Sequence, residues 1–122
     1  MQRGDRPAAK GDCPVFDAQT LLTHLGGDRN LAKTIIESAT GDLLGYFDRL
    51  EQAIDAGNWA AARRLTHTMK GLTAQIGGIR LSSSLKEIDD RLRDGGRTDM
   101  PTVDALRSEY QVLSAILQEW MR

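Results

Sequence analysis

Apolar residues recur along this chain every three or four positions and nowhere alternate residue by residue, which is the rhythm of helices and not of half-buried strands. Phe16 and Asp17 predict a helix start, with Asp17 as N-cap and Phe16 able to staple onto Leu21; this first helix is short and stops at Gly26 and Gly27. Asp28 predicts the cap of a much longer second helix, with a core stripe of Leu31, Ile35, Ala39, Leu43, Phe47, Leu50 and Ile54 and an end at Gly57. Asn58 caps a third helix from Trp59 to about Ile76, burying Ala62, Leu65, Met69, Leu72 and Ile76, and Gly77 and Gly78 interrupt the pattern. A fourth places Leu81, Leu85, Ile88 and Leu92 in register and ends at the glycine pair Gly95 and Gly96. The fifth opens at Pro101, suited to a first turn, and carries Val103, Leu106, Tyr110, Leu113, Leu117 and Trp120 to the end of the chain.

The fold class is therefore all-α. Short connections at Gly57-Asn58 and Gly77-Gly78 favour antiparallel neighbours, so the four long helices are expected to form an up-and-down antiparallel four-helix bundle with an additional short N-terminal helix at one end. Residues 1–13 read as a flexible polar N-terminal segment and residues 14–122 as the bundle domain, since 122 residues suit one domain and one core.

Composition narrows the function classes. At 40% hydrophobic and 27% charged residues the chain is that of a globular protein. Sixteen Lys and Arg against seventeen Asp and Glu leave no basic field to draw it towards nucleic acid or an anionic membrane surface. Cys13 is the single cysteine, so neither an intrachain disulfide nor a thiol metal cluster can form, and a reducing, cytoplasmic location fits best. No apolar run follows Arg3, Arg6 and Lys10 as it would in a secretory signal, and none approaches the roughly eighteen residues of a membrane span.

The third helix carries the chemistry. At about 100° per residue His67 falls roughly opposite the stripe of Leu65, Met69, Leu72 and Ile76, and so faces water. Arg63, Lys70, Gly71 and Ala74 fall on the same outer face. A solvent-facing histidine is most often simple surface, and an exposed lysine even more so. Gly71 shifts that balance: a mid-helix glycine costs about 1 kcal/mol relative to alanine, and its phase, well off the apolar stripe, argues against a close helix crossing. Clearing side chains beside an exposed imidazole lets another protein approach closely, and Ala74 extends the clearing by a turn. A neutral imidazole is nucleophilic and can attack phosphorus, leaving a covalent phosphohistidine that is handed on. Lys70, one turn away, is placed to neutralise oxygens of a phosphoryl group.

The string His67-Thr68-Met69-Lys70-Gly71, followed by Ala74, Ile76, Gly77 and Leu81, resembles the histidine-containing phosphotransfer domain family of bacterial multistep phosphorelays. Phe16-Asp17, Leu25 to Asp28 and Gly57 to Trp59 are similar to the family's helix starts, so the resemblance covers about Phe16 to Trp120. It departs at Thr66 and Gly78, where the family often has alanine. The resemblance implies a phosphoryl group accepted on His67 from a receiver-domain aspartate and passed to another receiver domain, in response regulators or hybrid sensor kinases. A partner face taking in Arg63, Gly71, Ala74 and Gly78 is expected with it, on a monomer.

The chain lacks a G-x-x-x-x-G-K-[ST] loop, so no ATP-dependent kinase activity is expected, and no cofactor of its own either. It lacks an obvious carboxylate cluster for magnesium, which is expected on the partner receiver domain. Two other readings compete. One is a non-catalytic docking module using the same face, against which the presence of His67 argues. The other is an enzyme or metal site pairing His24 with His67, against which stands the lack of a second classical ligand, a histidine or cysteine, three or four residues from either. The charged run Lys86 to Asp94 reads as a solvated helix face, part of which could flank the docking surface, and Trp59 and Trp120 as core or bundle-end packing.

Overall fold

A computed structural model describes residues 13–122, and these form five helices with no strand among them: α1 (Ala18–His24), α2 (Arg29–Asp55), α3 (Trp59–Gln75), α4 (Ile79–Arg93) and α5 (Met100–Met121). The flexible segment expected over residues 1–13 lies outside the described residues except for its last position. Side chains cap most of the helix starts. Asp17 accepts from the amides of Gln19 and Thr20, Asp28 from Leu31, Asn58 from Ala61, and Asp99 from Thr102, each satisfying donors with no partner inside the helix. Asp99 is the cap that sequence reasoning overlooked, and Pro101 sits just behind it, where a missing N–H costs nothing.

The helices pack as a bundle. α3 lies against α2 and α4, α5 against α2 and α4, and α1 leans on α2 and α3. Between them Ile36, Leu43, Phe47, Met69, Leu85 and Leu113 are fully buried. Each such side chain contributes about 1.5–3 kcal/mol by leaving water. Tyr110 adds a polar tie inside this core, its hydroxyl donating to the Thr40 carbonyl across the α2–α5 contact at 3.1 Å.

Two of the expected core stripes are displaced. On α2 the buried positions are Ala32, Ile36, Ala39, Leu43, Phe47, Leu50 and Ala53, whereas Leu31 is 43% exposed and Ile35 and Ile54 are half-buried. The apolar doublets Leu31-Ala32, Ile35-Ile36 and Ala53-Ile54 offered two choices, and the larger residue was not always the inner one. The stripe expected from Leu31 to Ile54 advances about 3.8 residues per step, which drifts around a helix of 3.6 residues per turn; the observed one, from Ala32 to Ala53, advances about 3.5 and drifts less than half as far, in the opposite sense.

On α3 the inward positions are Ala62, Thr66, Met69, Thr73 and Ile76, with Leu65 and Leu72 half-buried at the edge. Thr66 and Thr73 can face the core because each hydroxyl donates to the carbonyl three residues earlier, to Arg63 and to Lys70, both at 3.0 Å. The core side of α3 is thereby rotated by about 40° from the expected one, which brings His67 to about 140° from its centre instead of opposite it.

The α3–α4 join is held by two glycines with different duties. Gly77 has φ +78°, and a Cβ there would lie 2.5 Å from the Asp17 carbonyl oxygen; the Asp17 amide in turn donates to the Gly77 carbonyl at 2.8 Å. Gly78, at φ −81°, is buried beneath Leu113. The expectation that Gly78 belongs to the partner face is corrected here: it is packed inside the bundle, where a Cβ would meet Leu113 Cδ2 at 2.7 Å and the Thr73 carbonyl oxygen at 3.2 Å. At this same end Trp120 is half-buried, not fully in the core, with Phe16 edge-on to its ring at 5.7 Å and the Arg29 guanidinium 4.0 Å above it.

Candidate functional site

His67 projects from the middle of α3 with 68% of its side chain exposed. Its ring does not stand free. Nδ1 lies 3.2 Å from Oδ2 of Asp89 on α4, a carboxylate only 3% exposed. Lys70, one turn along α3, donates from Nζ to the same Oδ2 at 3.3 Å. Arg63, one turn the other way, brings Nε to 4.0 Å from Oδ1, and that oxygen is buried without a hydrogen-bond partner. Three cationic or potentially cationic side chains thus converge on one buried acid.

The geometry follows from the helix phases. Rotation of α3 towards Thr66 and Thr73 carries Arg63, His67 and Lys70 to its α4 edge. Asp89 meets them because it falls four residues after Leu85 and three before Leu92, on the flank of the buried stripe of α4. The two helices are further tied by Ser82, whose hydroxyl donates to the Lys70 carbonyl at 3.2 Å, fixing the backbone of the site helix at that turn.

The electrostatics settle the proton on the ring. Burial pushes the Asp89 carboxyl up, but hydrogen bonds from His67 and Lys70, and their charges, outweigh it and hold Asp89 below its ordinary value. Asp89 is therefore ionised and can only accept. The hydrogen in the His67–Asp89 contact must be on Nδ1, and a neutral imidazole so fixed keeps its lone pair on Nε2. An exposed ring with a defined nucleophilic nitrogen, backed by a buried anion and flanked by Lys70, is equipped for covalent transfer to an electrophile brought by another molecule.

Of the other residues singled out from sequence, Arg63 and Gly71 are exposed and Ala74 is half-buried. A Cβ built on Gly71 meets nothing within 4 Å, so no packing inside the bundle calls for a glycine there. His24 is the last residue of α1 and is exposed. Among the described residues no group of three His, Cys, Asp or Glu is arranged to hold a metal ion, and no helix is long and apolar enough to cross a membrane. Asp89 is the site residue that sequence reasoning missed, having been read as part of a solvated charged run. The available signal was its register with Leu85 and Leu92.

A family model of the Hpt domain matches residues 35–116, more than half of the chain, and the matched span holds Arg63, His67, Lys70, Gly71, Ala74 and Asp89. No curated protein and no solved structure matches the chain.

Proposed function

This chain belongs to the Hpt domain family, whose members carry out histidine phosphotransfer with receiver domains in phosphorelays, and from that premise we propose that His67 is the residue that carries the phosphoryl group. In this reading the Nε2 lone pair attacks the phosphorus of a receiver's aspartyl phosphate. The Nε2–P bond forms as the P–O bond to the partner's aspartate breaks, and that carboxylate departs with the electron pair. Handing the group to the aspartate of a second receiver runs the same step in reverse. The carrier has no kinase activity, and the magnesium ion that assists such transfers belongs to the receiver.

The observation that carries this reading is the His67–Asp89 contact at 3.2 Å. A ring that attacks through Nε2 while Nδ1 stays protonated acquires positive charge, and the Asp89 carboxylate faces it. Lys70 neutralises phosphoryl oxygens from one turn away, exchanging part of its contact with Asp89 for them. Gly71 and Ala74 keep the approach to the ring clear. Arg63 flanks it. The up-and-down order of the four long helices is part of the same reading, supported by the neighbour relations of α2 to α5 and the short turns at Gly57 and Gly77. So are a monomeric state and a cytoplasmic setting, which suit a shuttle between receivers.

The test is to incubate the protein with a receiver domain carrying labelled aspartyl phosphate and to compare wild type with His67→Gln. Acid-labile, base-stable label is expected on the wild type alone, and equal labelling of both would sink the assignment. Lys70→Ala is expected to slow transfer or shorten the life of the phosphohistidine with the bundle intact. Unchanged rate and half-life would remove Lys70 from the chemistry.

A further inference from the structure

Two surface clefts meet beside His67. One lies over the first half of α3 and is lined by Ala60, Arg63, Arg64, His67 and Thr68. The other continues from Arg64 and Thr68 into the crevice between α2 and α3, where Arg49, Gln52 and Asn58 form its polar rim above Leu65. Together they make a groove that runs from the imidazole towards the α2–α3 turn.

Its charge is unbalanced. Among the described residues neither Arg49 nor Arg64 has a carboxylate within ion-pair reach, and Arg49 has only the Tyr46 ring beneath it, 5.4 Å from the guanidinium. Among the described residues Arg63 reaches no acid but Asp89, at 4.0 Å, whose charge is already engaged by His67 and Lys70. The opposite flank of His67, on α4, is different: Lys86 and Arg93 both pair with Asp90 at 2.8 Å. The uncompensated positive charge beside the imidazole is thus gathered on the α2 side, on a chain whose net charge is −1 and which has no general attraction for polyanions.

We propose that this groove takes an acidic, amphipathic surface segment of the receiver domain that exchanges phosphate with His67, and that Arg49 and Arg64 select and orient that receiver. The inference rests on the assignment of His67 as the phosphoryl carrier. The apolar side of the segment would lie on Leu65 and the neighbouring alanines, and its carboxylates would reach the guanidinium groups on the rim. Charges placed so act on encounter and orientation more than on the chemical step.

Arg49→Glu/Arg64→Glu is compared with wild type and with Lys86→Glu, using any phosphorylated receiver domain that labels wild-type His67, over a range of receiver and salt concentrations. In the double variant the receiver concentration giving half-maximal rate is expected to rise about tenfold or more at low salt. The rate at saturation should stay within about twofold, and the salt dependence seen for wild type should flatten or invert. Lys86→Glu should behave as wild type. Half-saturation unchanged in the double variant, or raised equally by Lys86→Glu, overturns the groove while leaving His67 as carrier. No label on wild-type His67 from any receiver overturns the groove and the carrier assignment together.

Discussion

His67 and Asp89 stand 22 residues apart in the chain and meet through a single hydrogen bond, Nδ1 to Oδ2 at 3.2 Å. The contact joins a ring that is 68% exposed to a carboxylate that is 3% exposed. The orientation and tautomer of an exposed imidazole are therefore set from beneath, by a group that is itself almost fully buried. Asp89 is in this sense a positioning residue.

Replacing Asp89 with Asn separates charge from shape. The amide oxygen can still accept from Nδ1, but the hydrogen bond becomes neutral and Lys70 loses its ionic partner. Hydrogen bonds to charged groups exceed neutral ones by about 1 kcal/mol or somewhat more, so phosphotransfer to and from receivers is expected to slow roughly tenfold. The 15N shifts of the imidazole provide a readout that a purely structural role would not move: the share of Nδ1–H tautomer should fall in Asp89→Asn and fall further in Asp89→Ala. An unchanged tautomer balance with an unchanged rate would leave Asp89 as packing only.

Acid stability gives an independent check on the same carboxyl. Burial raises the pKa of Asp89, the His67 and Lys70 contacts more than offset this, and the folded value lies below the ordinary 3.8. A carboxyl depressed by folding contributes stability that is complete above its unfolded pKa and fades as pH falls from there through the lower folded value. The wild type should thus exceed Asp89→Asn in urea midpoint above about pH 4, with the gap closing as pH drops further. Asp90 and Asp99 are lowered too, by their bonds from Lys86 and from Thr102, so both proteins still lose stability in acid. A gap that stays constant to the lowest measurable pH would mean that Asp89 is not ionised in the fold.

Much of this was legible in the sequence, and the misses have identifiable causes. Asp17, Asp28 and Asn58 were readable as caps because a short acceptor before an apolar rhythm has one dominant use. Gly71 was readable as an outward-facing glycine because its phase is unlike that of a packing glycine, and a Cβ there meets nothing within 4 Å. The phase of α3 was not, since Leu65 and Leu72 outrank Thr66 and Thr73 in hydropathy, and only the bonds to the Arg63 and Lys70 carbonyls make the threonines suitable inside. Asp89 was lost for a related reason. Placing an acid in buried register requires knowing which cations the neighbouring helix brings, and that depends on tertiary packing.

Gly71→Gln tests the clearing. With nothing outside its own helix backbone within 4 Å of a Cβ built there, a side chain can leave the backbone without a clash, and exchanging a mid-helix glycine for a better helix former is expected to stabilise by up to about 1 kcal/mol. The same side chain would stand in the path of a partner approaching His67. The expected outcome is a urea midpoint equal to or above that of wild type, with transfer from a phosphorylated receiver reduced at least about tenfold, since even a modest misplacement of reacting groups is costly. Normal transfer in a stable variant would show that the space above Gly71 is not used.

Gly78 and Gly77 make the opposite case, because here a side chain collides inside the protein. In Gly78→Ala the new methyl meets Leu113 Cδ2 at 2.7 Å and the Thr73 carbonyl at 3.2 Å, and since Leu113 is fully buried its methyl has little room to retreat. Overpacking of this kind costs about 1–3 kcal/mol. Gly77→Ala should cost more. Its φ of +78° disfavours any side chain, and the obstacle at 2.5 Å is the Asp17 carbonyl, backbone that cannot shift without loosening the Asp17–Gly77 hydrogen bond. Urea unfolding should rank the stabilities as wild type, then Gly78→Ala, then Gly77→Ala. Transfer per folded molecule in Gly78→Ala should remain within about twofold of wild type, because the residue touches the core and not the partner. If Gly78→Ala instead unfolded like wild type but transferred poorly, the glycine would have to be returned to the docking face.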